Sequence, residues 1–127
     1  MAGTCAITST GGDRYQDGLL RELTFSWTSH TDGVVLITEN SGSPLITGYI
    51  CNMETTPGTG DDAPSAYTAT LKKANACVLA TKSSASATVA ELTDVGWHVH
   101  NTGLALIISG AGSANKGTCK VLYRTGD

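Results

Sequence analysis

The sequence predicts an all-β fold: a single antiparallel β-sandwich or a jelly-roll-like barrel of about eight strands. Short runs alternate between apolar and polar residues, clusters of Gly, Ser, Thr, Asn and Asp separate these runs, and no stretch has the period of a long amphipathic helix. The clearest run, residues 23–28, reads Leu-Thr-Phe-Ser-Trp-Thr. A period of two places one set of side chains in a core and the other in water, as in a half-buried strand.

The first half of the chain contains four predicted strands, at residues 4–10, 19–29, 34–39 and 45–55. The polar loop after the first strand contains Tyr15. Asp32-Gly33 predicts a tight turn before the third strand, because glycine adopts positive φ without steric cost. Residues 40–44 predict another turn, and Gly48 predicts a bend in the fourth strand.

The second half begins with the longest predicted loop, residues 56–64, where two prolines and two glycines exclude regular structure. Tyr67, Ala69 and Leu71 then share one face of a fifth strand. Residues 81–90 are rich in Ser and Ala and predict a loop or one helical turn. The predicted strands are residues 65–73, 76–80, 91–100, 104–109 and 118–124; the predicted turns and loops between them are residues 74–75, 101–103 and 110–117.

Composition limits the classes of function. The chain has 127 residues, which predicts one domain over residues 1–127, and residues 1–10 are a candidate N-terminal arm or edge strand. The net charge is −3, and its basic residues are scattered, so we expect no direct nucleic-acid binding. The start of the chain does not resemble a signal peptide, and the apolar run at residues 104–108 is too short to cross a bilayer. We therefore expect no membrane association.

Four cysteines are far apart in the sequence, at Cys5, Cys51, Cys77 and Cys119. The absence of a Cys-x-x-Cys pair argues against a zinc site. A reducing cytoplasm favours free thiols, which pack as small apolar groups. A disulfide between Cys5 and Cys119, on the two terminal strands, is geometrically possible, and the sequence spacing neither requires nor excludes it.

The residues that could carry chemistry are few. His98 and His100 would share one strand face and could reach one metal, but a site needs further ligands, so we expect solvent-facing histidines and no metal. Asp61-Asp62 lacks the spacing of a calcium loop and predicts a solvated turn. No pattern indicates a nucleophile or a cofactor, and a pair of carboxylates for glycoside hydrolysis is defined by spatial rather than sequence spacing. For a chain of this size without a cofactor motif, we expect no enzyme. The candidate interface residues are Tyr15, Trp97, His98, His100, Asp61 and Asp62.

Three turn-rich segments carry a resemblance to a known family. These are residues 24–29 followed by Asp32-Gly33, residues 57–64 before a strand that contains tyrosine, and residues 109–118 before the last strand. Together they resemble small β-rich structural proteins encoded in the morphogenesis regions of tailed bacteriophages. Thr68 and Ala69 depart mildly from the family pattern, in which an acidic residue or valine is expected.

The resemblance implies a virion component present in many copies, first of all a capsid decoration (cement) protein. It implies the major capsid protein or other virion proteins as partners, a homo-oligomer such as a trimer, no cofactor, and synthesis in the cytoplasm of a bacterial host. A neck or tail component is the alternative within the virion. A carbohydrate-binding β-sandwich module is a further alternative, which would need a surface row of aromatic side chains. The last alternative is a small metalloenzyme that uses His98 and His100.

Overall fold

A computed structural model describes residues 3–10, 20–73 and 77–125 of the chain. In this part of the chain, two sheets pack face to face as a β-sandwich. The strands are β1 (Thr4–Thr10), β2 (Leu20–Thr28), β3 (Asn40–Ser41), β4 (Ile46–Pro57), β5 (Tyr67–Lys73), β6 (Val78–Ala85), β7 (Glu91–Thr102), β8 (Leu104–Ser109) and β9 (Lys116–Arg124).

The larger sheet has six strands in the order β3-β1-β2-β9-β4-β7, and the smaller has three in the order β6-β5-β8. All neighbouring strands are antiparallel except β1 and β3, which pair in parallel over two residues. The predicted all-β sandwich is therefore confirmed.

The core lies between the two sheets and follows the predicted alternation. Leu23, Phe25 and Trp27 of β2 are buried, while the hydroxyl residues between them are half-buried or exposed. From the smaller sheet, Tyr67 and Leu71 of β5 face them and are also buried. Because both sheets contribute one apolar face, each strand removes about half of its side chains from water.

The lateral side of the sandwich next to β8 is covered by residues 35–43. Val35 forms a single bridge with Ile108, and its backbone N–H donates to the Ile108 carbonyl at 2.9 Å. The Asn40 side chain then mimics a strand: its amide donates to the Leu106 carbonyl at 2.9 Å and its oxygen accepts from the Leu106 N–H at 2.8 Å. The free edge of β8 is thereby satisfied by hydrogen bonds.

The prediction of a strand at residues 34–39 is wrong. Only Val35 makes a bridge, and Ile37–Glu39 form a 3₁₀ turn. The turn is held by the Glu39 carboxylate, which accepts a hydrogen bond from the Leu36 N–H at 2.7 Å. A local side-chain acceptor therefore outweighs the β preference of the branched residues in this segment.

Residues 81–85 also differ from prediction, because they continue β6 instead of forming a loop or helical turn. The turn begins at Ser86, whose hydroxyl accepts from the N–H groups of Thr88 and Val89, each at 3.1 Å. Residues 56 and 57, predicted as loop, belong to the end of β4, and β9 begins two residues earlier than expected. The tight turn predicted at residues 74–75 lies outside the described residues.

Of the two predictions for residues 1–10, an N-terminal arm or an edge strand, the described residues 4–10 form a strand near the edge of the larger sheet. β1 pairs with β2 along its whole length and with β3 at Cys5 and Ala6. Cys5 and Ile7 are buried in the core. Residues 4–10 therefore already have partners within the chain.

The cysteines are free, and a Cys5–Cys119 bridge is excluded by strand order. Cys5 lies on β1 and Cys119 on β9, with β2 between them. Strands two positions apart are separated by about 10 Å, whereas a disulfide needs Cα atoms within about 7 Å. Burial raises the pKa of both thiols to about 12. Both therefore remain protonated and pack as apolar groups.

Candidate functional site

The three turn-rich segments singled out in the sequence meet at one end of the sandwich. We define this loop end as residues 29–33, 58–66 and 110–116. The Gly58 N–H donates to the Lys116 carbonyl at 2.8 Å, and the Ser65 N–H donates to the Ala111 carbonyl at 3.2 Å. The Ala111 N–H in turn donates to the Gly33 carbonyl at 3.0 Å. Backbone hydrogen bonds thus join segments that are far apart in the sequence.

Ser29 is the buried centre of the loop end. Its hydroxyl donates to the Gly112 carbonyl at 2.7 Å and accepts from the Asn115 N–H at 2.9 Å. Gly33 and Gly112 adopt φ values of +84° and +82°, and a Cβ on Gly33 would lie 2.8 Å from the Gly112 nitrogen. Glycine is therefore required at this contact both by its backbone conformation and by space.

Asp61 and Asp62 lie at the loop end, in a 3₁₀ turn formed by Gly60–Asp62. The turn is held by the Asp62 N–H, which donates to the Thr59 carbonyl at 3.1 Å. Asp61 is exposed and Asp62 is half-buried. The predicted solvated turn is therefore present, and it presents two carboxylates on an ordered backbone.

A shallow cleft of about 360 Å³ adjoins the loop end, at the point where β2, β4 and β9 begin or end. Trp27 packs at its base against Gly117, where a Cβ would lie 2.5 Å from the Trp27 ring. The buried Nε1 of Trp27 has no hydrogen-bond partner among the described residues. The lining residues with polar side chains are Ser26, Thr28, Thr56, Lys116 and Thr118.

Trp97, His98 and His100 lie together on β7, the last strand of the larger sheet. His98 and His100 are both exposed, as predicted for outward positions of one strand. The His98 ring lies beside that of Tyr49 on β4, with ring centroids 5.3 Å apart. Tyr49 is 40% exposed, so β4 and β7 share a small aromatic surface.

Trp97 lies opposite Ile50 in the register, on the inner side of the sheet. Because β7 is an edge strand, the ring is incompletely covered and 40% exposed. The Lys73 Nζ lies 5.9 Å from the ring centroid, within the range of a cation–π contact. Trp97 therefore lies on the core side of an edge strand, with part of its ring open to solvent.

The predicted interface residues do not form one site. Asp61 and Asp62 follow the end of β4, whereas His98 pairs with Tyr49 near its beginning, and eight residues of strand span about 27 Å. Tyr15 lies outside the described residues. His30 lies at the loop end, where its Nδ1 is 3.3 Å from an Asp32 carboxylate oxygen.

Sequence reasoning missed two exposed residues, Tyr49 beside His98 and Leu92 near the beginning of β7. Leu92 on β7 is 64% exposed. The signal was available in the alternation of β4, where Gly48 and Ile50 face the core and Tyr49 therefore faces out. Among the described residues, no three His, Cys, Asp or Glu side chains cluster to hold a metal, and no helix is long and apolar enough to span a membrane.

The fold defines an all-β sandwich protein. No family model matches the chain, and no curated protein matches it. One similar solved structure is described as "Structural basis for the promiscuous specificity of the carbohydrate-binding modules from the beta-sandwich super family", with 14% sequence identity and a TM-score of 0.40. The match covers 95% of this chain and 52% of that one, so this chain spans about half the length of that structure.

Proposed function

We propose that this protein is a structural component of a tailed-bacteriophage virion, in the first place a decoration protein of the head. The observation that carries the proposal is the loop end. The three segments that resemble phage structural proteins are distant in sequence, yet hydrogen bonds join them into one surface. The three segments that carry the resemblance therefore form one structural feature and are not three unrelated turns.

The loop end has the properties of a preformed docking surface. Its backbone is held by Ser29, by paired glycines and by the 3₁₀ turn at Gly60–Asp62, so binding would order little further chain. Asp61 supplies an exposed charge at the tip. In this proposal, the carboxylates of Asp61 and Asp62 contact basic groups on the capsid shell.

The rest of the surface supports packing in an assembly. Ser26, Thr118 and Thr56 are neighbours across β2, β9 and β4 and turn a row of hydroxyl groups outward. Charged residues are only 15% of the chain. Hydroxyl groups lose less hydration energy than ions when another subunit covers them, so such a face packs at low cost.

The decisive experiment uses particles released by the bacterial strain that carries the gene. Quantitative mass spectrometry would give the copy number, and immunogold labelling would give the location. Hundreds of copies on the head are expected for decoration. About a dozen copies at one vertex would replace decoration by the neck or tail alternative, and absence from purified particles would overturn the virion proposal.

The role of the carboxylates is tested on particles that lack the protein, by adding it back. The Asp61→Asn/Asp62→Asn variant should bind at least about tenfold more weakly than the unchanged protein. Glu22→Gln is the matched control, because Glu22 is a half-buried carboxylate near the start of β2, at the opposite end of that strand from the loop end. Equal binding by both variants would exclude the loop end as the docking surface.

A carbohydrate-binding module remains the alternative outside the virion. Among the described residues, the exposed aromatic side chains Tyr49 and Trp97 lie on opposite faces of the larger sheet, since Tyr49 pairs with His98 and Trp97 with Ile50. They therefore do not form one row on which a sugar chain could stack. Binding to an array of glycans at micromolar concentration would favour this alternative.

A further inference from the structure

The two lateral edges of the sandwich differ in whether their backbone N–H and C=O groups have partners. On one side, the edge of β8 is covered by Val35, Asn40 and Ser43, whose hydroxyl accepts from the Leu104 N–H at 3.0 Å. On the other side, the twelve-residue strand β7 pairs with β4 along one edge, and no strand in the described residues pairs with its other edge. We call this unpaired side the β7 edge. Its N–H and C=O groups can accept another strand.

The β7 edge also carries exposed apolar side chains. Leu92 is 64% exposed and Trp97 is 40% exposed, on opposite faces of the same strand. Soluble proteins usually protect a long edge strand with charge, proline, a bulge or a covering loop, and β7 has the charge of Asp94 and a bulge at Gly96. These features leave Leu92 and Trp97 exposed, and exposed apolar side chains at an unpaired edge mark a surface that a partner can cover.

We propose that β7 pairs antiparallel with β7 of a second copy of this chain, about a twofold axis at Gly96. In this register, Asp94 lies opposite His98 of the second copy, and by symmetry His98 lies opposite Asp94. Val95 lies opposite Trp97 of the second copy in the same way. The two six-stranded sheets then continue as one twelve-stranded sheet through the dimer.

Charge complementarity favours this partner. Outward side chains on β7 run from Leu92 and Asp94 at its beginning to His98 and His100 at its end, and all four are exposed. Reversing the strand therefore places Asp94 opposite His98 of the second copy, twice in each dimer, and Leu92 opposite His100. An imidazole donates a hydrogen bond to a carboxylate in either protonation state, and opposite charges across strands stabilise pairing.

The inner face fits the same register. Val95 packs partly against the core, and Trp97 beside it is incompletely covered. Pairing each Trp97 with Val95 of the second copy removes apolar surface from water at both positions. A register one residue away, about Val95, would instead place Trp97 opposite Thr93 and Val99 opposite Glu91.

Gly96, at the proposed twofold axis, lies in a bulge of β7: its φ is +71°, and the register of β7 with β4 shifts between Ile50 and Asn52. Gly96 carries no side chain on the outer face, and a Cβ there would lie 3.3 Å from the Tyr49 hydroxyl. The Tyr49 side chain therefore reaches over Gly96, and two such side chains would meet above the axis. The exposed part of Tyr49 would be covered in the dimer.

This inference is independent of the virion proposal, because a dimer through β7 requires no phage partner. The first test is sedimentation velocity over a range from about 1 to 200 μM, values that span weak and moderate association. A monomer–dimer equilibrium or a stable dimer is expected. A monomer throughout, or a trimer as the smallest oligomer, would overturn the proposal.

Charge exchange tests the partner residues. Asp94→Lys alone and His98→Asp alone should each weaken dimerisation by about tenfold or more, because each change removes or reverses two symmetric pairs. The double variant Asp94→Lys/His98→Asp should restore affinity to within about threefold, because it re-forms both pairs with reversed sign. No recovery in the double variant would overturn the assignment, provided that all three variants retain the thermal stability of the unchanged protein.

The register is tested by disulfide cross-linking in a Cys51→Ser/Cys77→Ser background, which removes the two thiols outside the buried core. Asp94→Cys/His98→Cys should form a covalent dimer under mild oxidation. Asp94→Cys/His100→Cys is the matched control and should remain largely uncross-linked. Residues four apart on one strand are separated by about 13 Å, so a bridge within one chain is excluded. Preferential cross-linking of the control would overturn pairing about Gly96.

Discussion

Trp27 of β2 and Tyr67 of β5 meet edge to face across the two sheets, with ring centroids 5.1 Å apart and ring planes at 61°. Both side chains are buried, and in the described part of the chain each retains a polar atom without a hydrogen-bond partner, the Trp27 Nε1 and the Tyr67 hydroxyl. The Thr55 side chain faces the Tyr67 hydroxyl but lacks the geometry of a hydrogen bond. The contact therefore combines favourable ring packing with a desolvation cost.

Replacing Tyr67 with phenylalanine should leave stability unchanged or raise it by up to about 1 kcal/mol, because the ring contact is kept and an unpaired buried hydroxyl is removed. Tyr67→Ala is the contrasting variant and should cost about 3–5 kcal/mol, because it opens a cavity beside Trp27. Urea unfolding monitored by tryptophan fluorescence measures both. A loss of more than about 1 kcal/mol in Tyr67→Phe would show that the hydroxyl is satisfied.

Stability should fall in alkaline solution, because burial raises the pKa of three acidic groups to about 12: Cys5, Tyr67 and Cys119. In the unfolded chain, the two thiols lose their protons near pH 9 and the phenol near pH 10. Above these values the unfolded state binds fewer protons than the folded state, so the free energy of unfolding decreases as pH rises toward 12. Each group contributes a slope of up to about 1.4 kcal/mol per pH unit.

The measurement is urea unfolding at intervals from pH 7 to pH 11. Below pH 9 the contribution of these three groups to the free energy of unfolding should not change with pH. A Cys5→Ala/Cys119→Ala variant should show a shallower decline above pH 9, measured against its own stability at pH 7. An equal decline in this variant would assign the alkaline loss to other groups.

The alternation of residues 23–28 was sufficient to predict β2, because a strand between two layers has one buried face and its side chains repeat every two residues. The same rule did not predict the structure of residues 34–39. Its branched residues favour a strand, but Glu39 accepts a hydrogen bond from the backbone of Leu36 and bends the chain. A local contact between a side chain and the backbone leaves no periodic signal.

The candidate sites were predictable one residue at a time and not as groups. The order of histidines on β7 indicated that His98 and His100 share a face, and both are exposed. Their neighbour Tyr49 comes from β4 and lies 49 positions before His98 in the sequence, although the two residues are paired in the sheet. Likewise, the three segments of the loop end were visible as turns, but only strand order brings them together.

Gly117 should tolerate no side chain, since a Cβ would lie 2.5 Å from the Trp27 ring and 2.9 Å from the Thr56 carbonyl. We expect Gly117→Ala to cost about 1–3 kcal/mol, because the backbone of β4 cannot move away without breaking its pairing with β9. Gly60→Asn is the control: Gly60 has φ +62°, which asparagine accepts, and no atom of the described residues lies within 4 Å of its Cβ position. Thermal unfolding compares the two, and an unchanged melting temperature in Gly117→Ala would contradict the predicted crowding.

The thiols should react in an order set by burial. Cys77 is exposed and should react with a maleimide within minutes at pH 7, whereas Cys5 and Cys119 are buried and should react only through unfolding. Mass spectrometry of the labelled protein gives the order, and labelling in urea provides the control in which all four thiols react. Fast labelling of Cys119 in the native protein would contradict its burial in the core.

Ser29 should be the most sensitive residue of the loop end. Its buried hydroxyl donates to the Gly112 carbonyl and accepts from the Asn115 N–H, so Ser29→Ala leaves both groups with one partner fewer. We expect a loss of about 1–3 kcal/mol in the free energy of unfolding. Ser26→Ala on the exposed face of β2 is the matched control and should change it by less than about 0.5 kcal/mol. Hydrogen exchange at the Asn115 amide, measured by NMR, should accelerate in Ser29→Ala and not in Ser26→Ala. Unchanged exchange would show that the loop end is held by its backbone hydrogen bonds alone.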